Sequence, residues 1–155
     1  MQIQLDSREK AKAIQKILAE FDRQNVRYFT SKLYVGDYMN LDNPRLIIDR
    51  KQNLSEVYTN LCQGKKRFEA ELTRANEAGI KLIILCEHGG KIGSLEDVKT
   101  WENPRLQKNP YAWCGLRLYK EIDLISKKYN VEFQFCNKSQ TGKRIIELLG
   151  GADNE

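Results

Sequence analysis

GDYMNLDNPRLIIDRK, residues 36–51, places two carboxylates, Asp37 and Asp49, on either side of the turn-forming residues Asp42-Asn43-Pro44-Arg45. If that turn closes a hairpin, Asp37 comes within about a residue of facing Asp49 across two antiparallel strands. Side chains alternate along a strand, so Asp49 and Lys51 project from one face and Arg50 from the other. Asp49 and Lys51 follow Leu46-Ile47-Ile48, which puts them where an apolar strand emerges from the core. Two carboxylates and an ammonium on one surface suit a hard cation and a phosphodiester.

Outward from this hairpin, strands and helices alternate. Residues 2–6 (QIQLD) read as a short strand, and Ser7 is placed to cap a helix with Ala11, Ile14, Leu18 and Phe21 on one side. The run VRYFTSKLYVGDYM predicts one or two strands up to Met39. Asn53 with Glu56 three residues on forms a capping box for a helix carrying Leu54, Val57, Tyr58 and Leu61. Gly64 interrupts it, and Phe68, Leu72 and Ala75 continue a helical stripe to Gly79. IKLIILCEH is a continuous apolar run of strand length, expected of a central strand covered on both faces and ending at Glu87. The pattern weakens over residues 88–114. Leu118, Ile122, Ile125 and Tyr129 then mark a helix, VEFQF a strand and TGKRIIELLG a terminal helix before the polar tail at residues 151–155. An antiparallel hairpin between the first two helices predicts an α/β fold of three layers, with a mixed central sheet flanked by helices.

At 155 residues and 41% hydrophobic, the chain is long enough to bury one substantial core. Lysine and arginine outnumber aspartate and glutamate by 26 to 21, for a formal charge of +5, which fits an anionic partner. Cys62, Cys86, Cys114 and Cys136 show no CxxC pair, and the single histidine, His88, is in no ligand spacing with them. That pattern argues against zinc and for buried free thiols in a reducing compartment. The N-terminus lacks a signal-peptide core, and no apolar run approaches membrane-spanning length. The expectation is a cytoplasmic protein with no membrane partner.

In the site so predicted, Asp37 and Asp49 would hold Mg²⁺, with Mn²⁺ as a substitute, and Lys51 would orient a water or stabilise the charged transition state. The succession LDSRE, VGDY, LIIDRK, a helix, GKKRFEAEL and an LIILCE strand, from Ile3 to Leu149, resembles the XPF-type structure-specific endonuclease domain, a branch of the PD-(D/E)xK nucleases. The resemblance implies a restriction-endonuclease-like fold and a single nuclease domain over residues 1–150. It also implies a metal-dependent endonuclease cutting DNA at branched, flap or fork structures, as in repair or recombination. The family's GD is met by Gly36-Asp37 and its ERK signature by Asp49-Arg50-Lys51, with aspartate for the usual glutamate. Its N-terminal acidic position falls on Asp6, and the acid ending its later core strand on Glu87. Ser55, with Glu56 beside it, stands where the family often has a further aspartate.

Asp37, Asp49 and Lys51 are therefore the expected catalytic set, with Asp6, Arg50 and Glu87 as accessories. Each accessory has a plainer role open to it: Asp6 beside Ser7 as a helix cap, Glu87 as a solvated strand end, and Arg50 in an internal ion pair with Glu9 or Glu71. Lys65, Lys66 and Arg67 form either a solvated helix face or contacts to flanking DNA phosphates. Trp101, Tyr111 and Trp113 either stack on bases or, as preferred here, anchor a long loop. The other readings are a catalytically idle DNA-binding or scaffold domain, and a junction-resolvase or restriction-like nuclease. No helix-hairpin-helix module is visible, so the expectation is a minimal stand-alone enzyme of phage or bacterial type, or one reliant on a homodimer or partner protein, with an apolar contact patch at Tyr111 to Tyr129.

Overall fold

A computed structural model describes residues 1–150; the tail expected at 151–155 lies outside the described residues. Strands form at Gln2–Leu5 (β1), Arg27–Thr30 (β2), Tyr38–Asn40 (β3), Asn43–Lys51 (β4), Lys81–Cys86 (β5) and Glu132–Phe135 (β6). The α-helices are Gln15–Arg23 (α1), Leu54–Cys62 (α2), Lys65–Glu77 (α3), Gly115–Tyr129 (α4) and Thr141–Gly150 (α5). The strands make one six-stranded sheet in the order β2-β1-β3-β4-β5-β6. β3 is antiparallel to both β1 and β4, while β1 with β2, β4 with β5 and β5 with β6 run parallel. The predicted mixed sheet is thus observed, with the hairpin at its centre.

Alternation along β4 and β5 divides the core. Ile47, Leu82, Ile84 and Cys86 pack with α2, α3 and α4 through Leu54, Leu72 and Ile122, whereas Ile48, Ile83 and Leu85 pack with α1 and α5 through Phe21, Ile145 and Leu149. Helices therefore cover both faces, and β5 is apolar throughout because neither face meets water.

Several local expectations are corrected. The hairpin turn is Leu41–Asp42 rather than 42–45, because the Asn40 side chain accepts the Asp42 N–H (3.0 Å) and closes the chain early. Asn40 then pairs with Asn43 and Met39 with Ile47, so Pro44 falls in a bulge where its missing N–H costs no ladder bond. Ser7 does not cap a helix: Ala11–Ile14 is a 3-10 turn, α1 begins at Gln15, and neither has a side-chain cap. Cys86 and Cys136 are buried free thiols, but Cys62 and Cys114 are exposed, since each lies at a helix end beyond the packed stripe.

The Asn53–Glu56 cap forms as expected, with the Glu56 N–H donating to Asn53 Oδ1 at 2.9 Å. α3 ends ahead of Gly79, whose φ of +70° only glycine adopts without strain. Residues 88–114 contain two 3-10 turns, Glu96–Thr100 and Pro104–Gln107. Trp101 is buried there, and Trp113 meets Tyr58 edge-on with Arg117 over its ring. These two aromatics anchor the segment, whereas Tyr111 is 88% exposed, near the exposed Leu116 and Leu124 of α4. No helix among the described residues is long and apolar enough to cross a membrane.

Candidate metal and phosphodiester site

Asp37 is delivered by the residue before it. Gly36 has φ +70°, and a Cβ there would lie 2.5 Å from the Ile47 side chain and 3.1 Å from the Ile48 carbonyl oxygen. Only glycine lets the chain pass so close to β4 in that conformation. The Asp37 N–H then donates to the Ile48 carbonyl (2.8 Å), and the Arg50 N–H donates to Asp37 Oδ2 (2.7 Å). Tyr38 pairs with Ile48, so the adjoining Asp37 comes opposite Asp49 at the end of the hairpin.

The two carboxylates share a cleft with Lys51, beside Glu9 and Glu56. Burial, and then the charge of Asp49, hold the Asp37 carboxyl well above its ordinary range. Asp49 is almost wholly buried; its Oδ2 lies 3.3 Å from Lys51 Nζ yet receives no hydrogen bond. Burial works against the Lys51 ammonium, but Asp49, Glu56 and Glu71 outweigh it and raise its pKa, so the lysine stays charged. Its Nζ also lies over the Phe68 ring, 5.3 Å from the centroid.

Such a set fits a hard divalent cation: all donors are oxygen, two acids repel one another, and one buried oxygen awaits a positive partner. Among the described residues no group of three or more His, Cys, Asp or Glu side chains could hold a metal ion. Asp37 and Asp49 would therefore leave coordination positions for water and phosphate oxygens, which is how Mg²⁺ is commonly bound.

On the other face of β4, Arg50 is buried and doubly paired. Its Nε donates to Glu9 Oε2 (3.0 Å) and its Nη1 to Glu87 Oε1 (2.5 Å). Tyr38 Oη also donates to Glu9, and the Thr141 hydroxyl donates to Glu87 Oε2 at 2.6 Å. Glu87 is thus a buried ion-pair member rather than a solvated strand end, and Glu9, not Glu71, is the partner found from the expected pair. Asp6 is buried as well: it accepts from the Leu33 N–H (2.8 Å) and from Arg8 Nε (2.6 Å), and so holds the loop that carries Gly36 and Asp37. Burial works against its charge, but the Arg8 bond and the Leu33 N–H outweigh it and lower its pKa.

Glu71 on α3 reaches the same region, lining a cleft with Asp37 and Asp49 and lying 3.4 Å from the Gly36 N–H. Burial, then Asp49, raise its pKa. Its helical spacing from Lys65 to Arg67 is legible in the sequence, but its approach to the aspartates depends on how α3 packs. Lys65, Lys66 and Arg67 are exposed on the first turn of α3. His88, in no ligand spacing, accepts the Leu54 N–H on Nδ1 (3.0 Å) and completes the α2 N-terminus. Burial lowers its pKa, in keeping with a neutral acceptor.

The model of the ERCC4 domain family matches residues 5–149. Among solved structures, XPF from Aeropyrum pernix superposes with a TM-score of 0.71 at 20% identity, covering 100% of this chain and 66% of that one. XPF from the same organism in complex with DNA superposes with a TM-score of 0.69 at 19% identity, covering 99% and 65%. The chain thus spans about two thirds of the length of those proteins. No curated protein matches the sequence.

Proposed function

The chain belongs to the ERCC4 domain family of XPF-type nucleases, and from that premise we propose that it is a divalent-metal-dependent DNA endonuclease acting at branched, flap or fork structures. The observation that carries this reading is the meeting of Asp37 and Asp49 beside the Lys51 ammonium, in a cleft where the carboxylates lack neutralising partners. The similar XPF structure solved with DNA supports the choice of substrate.

Asp37 and Asp49 hold the cation, Mg²⁺ or Mn²⁺. Bound there, the ion polarises the scissile phosphate and lowers the pKa of the attacking water. Lys51, kept protonated by its carboxylate neighbours, orients that water or stabilises charge as it develops on the phosphate oxygens. Arg50 and Glu87 act at one remove, pinning the back of β4 to the start of α5, and Asp6 steadies the loop that presents Asp37. Lys65, Lys66 and Arg67 contact the flanking phosphates.

Cleavage of labelled flap, fork and duplex DNA, with Mg²⁺ present or chelated, tests the reading in the wild type and in Asp49→Asn. Metal-dependent cutting that the substitution abolishes is expected. A wild type inactive on every substrate, or a fully active D49N, would overturn it.

A further inference from the structure

A cavity of about 700 Å³ opens on the far side of Lys51, between the last turn of α2 and the first turns of α3. It lies within the size range of small-molecule pockets, roughly 300–1,000 Å³, and is larger than a phosphate group alone requires. Its walls differ in chemistry. Lys66 and Arg67 stand at the N-terminus of α3, where Gly64 offers no side chain to cap the first-turn N–H groups. That end suits a phosphate. Asn60 and Gln63 on α2 present amides to the same space.

Asn60 distinguishes between ligands. Its Oδ1 is buried and receives no hydrogen bond. An unmet buried acceptor costs stability until a donor arrives, and an ionised phosphate has no proton to donate. Every DNA base has an N–H on its pairing edge. The ligand indicated is therefore a nucleotide rather than a free anion, and its base must be unpaired, because in a duplex that edge is already engaged. Lys51 forms one wall and Phe68 lies beneath its ammonium, so the cavity adjoins the aspartate pair.

We propose that the α2–α3 cavity receives one unpaired nucleotide of the substrate beside the scissile bond, its phosphate at the α3 N-terminus and its base against Asn60 and Gln63. This inference rests on the nuclease reading and extends it: the cavity converts the presence of a single-stranded branch into binding selectivity.

The test measures binding in the Asp49→Asn background, where cutting is not needed for a readout. Fluorescence anisotropy compares three ligands: a flap, the same flap with an abasic first unpaired position, and the matching nicked duplex. D49N binds the intact flap about tenfold more tightly than the other two, a loss on the scale of one base contact. Adding Ala70→Trp, which fills the cavity from an exposed position on α3, removes the difference. Gln63→Leu, checked by circular dichroism, does so partially and serves if A70W fails to fold. Equal binding of all three ligands, or a preference that survives A70W in a folded protein, overturns the proposal and leaves the nuclease reading standing. A wild type that cuts nothing would overturn that reading without touching this measurement.

Discussion

Three consecutive residues, Asp49, Arg50 and Lys51, build two buried charged clusters on opposite faces of β4, and the two are finished differently. On the α1/α5 face Arg50 is held by Glu9 and Glu87, and these carboxylates take further hydrogen bonds from Tyr38 and Thr141. On the α2/α3 face Asp37 and Asp49 confront each other, Asp49 Oδ2 receives no hydrogen bond, and Glu71 adds another acid. A buried charge that keeps its partners holds a structure in place. One left without them is strained until a ligand of opposite charge arrives, and such shifted groups gather where chemistry is done.

The largest expected effect breaks the satisfied cluster. Arg50→Met strands two buried carboxylates and should cost about 3–5 kcal/mol in urea denaturation; a loss under about 1 kcal/mol would show that the pairs are ornamental. On the opposite face, Asp49→Asn should lower cleavage by about 10²–10³-fold, the scale of losing a principal transition-state contact, while the melting temperature without metal holds or rises. If D49N instead unfolds, the contrast between the faces fails. Thr141→Val removes the donor to Glu87 Oε2 from a fully buried position, and about 1–3 kcal/mol of stability should go with it.

A pH series sharpens the same contrast. Because the native Asp37 carboxyl titrates above its ordinary 3.8, the folded state binds more protons than the unfolded chain from that pH up to the raised pKa. Stability of the metal-free protein should therefore fall as pH rises through this window. Asp37→Asn should flatten that slope in thermal melts taken with a chelator, and excess Mg²⁺ should flatten it in the wild type; an unchanged slope in D37N would assign it elsewhere. The smallest effect belongs to the exposed cations: Lys66→Ala or Lys65→Ala should reduce the salt slope of DNA binding by about 1 each, with no change in cleavage of DNA already bound.

Much of this could be read along the chain because it depends on local geometry. The period of two on β4 separates Asp49 and Lys51 from Arg50 without reference to any other element, and Asn53 caps α2 with a residue three positions away. Ser7 misled because a cap requires a free helix start, and the neighbouring Asp6 is committed to Leu33, 27 residues on. Glu71 was passed over as a site residue because nothing in its own stretch shows that α3 turns it toward Asp49. The bulge at Met39/Asn40 defeated the expected turn: the Asx contact of Asn40 outcompeted the proline signal.

The sequence by itself determined the hairpin, the identity of the acids and lysine, the alternation of helices and strands, and the mixed sheet, since periodicity, caps and turn residues act over a few positions. Only the tertiary structure decided which charges would be satisfied. Arg50 meets Glu87 because parallel pairing of β4 and β5 sets Arg50 opposite Leu85, and Thr141 completes the pair because α5 packs on that face. The α2–α3 cavity likewise exists only where two helices, each ordinary in its own sequence, diverge beside Lys51. Partners distant along the chain are chosen by packing and register, and no short-range pattern encodes them.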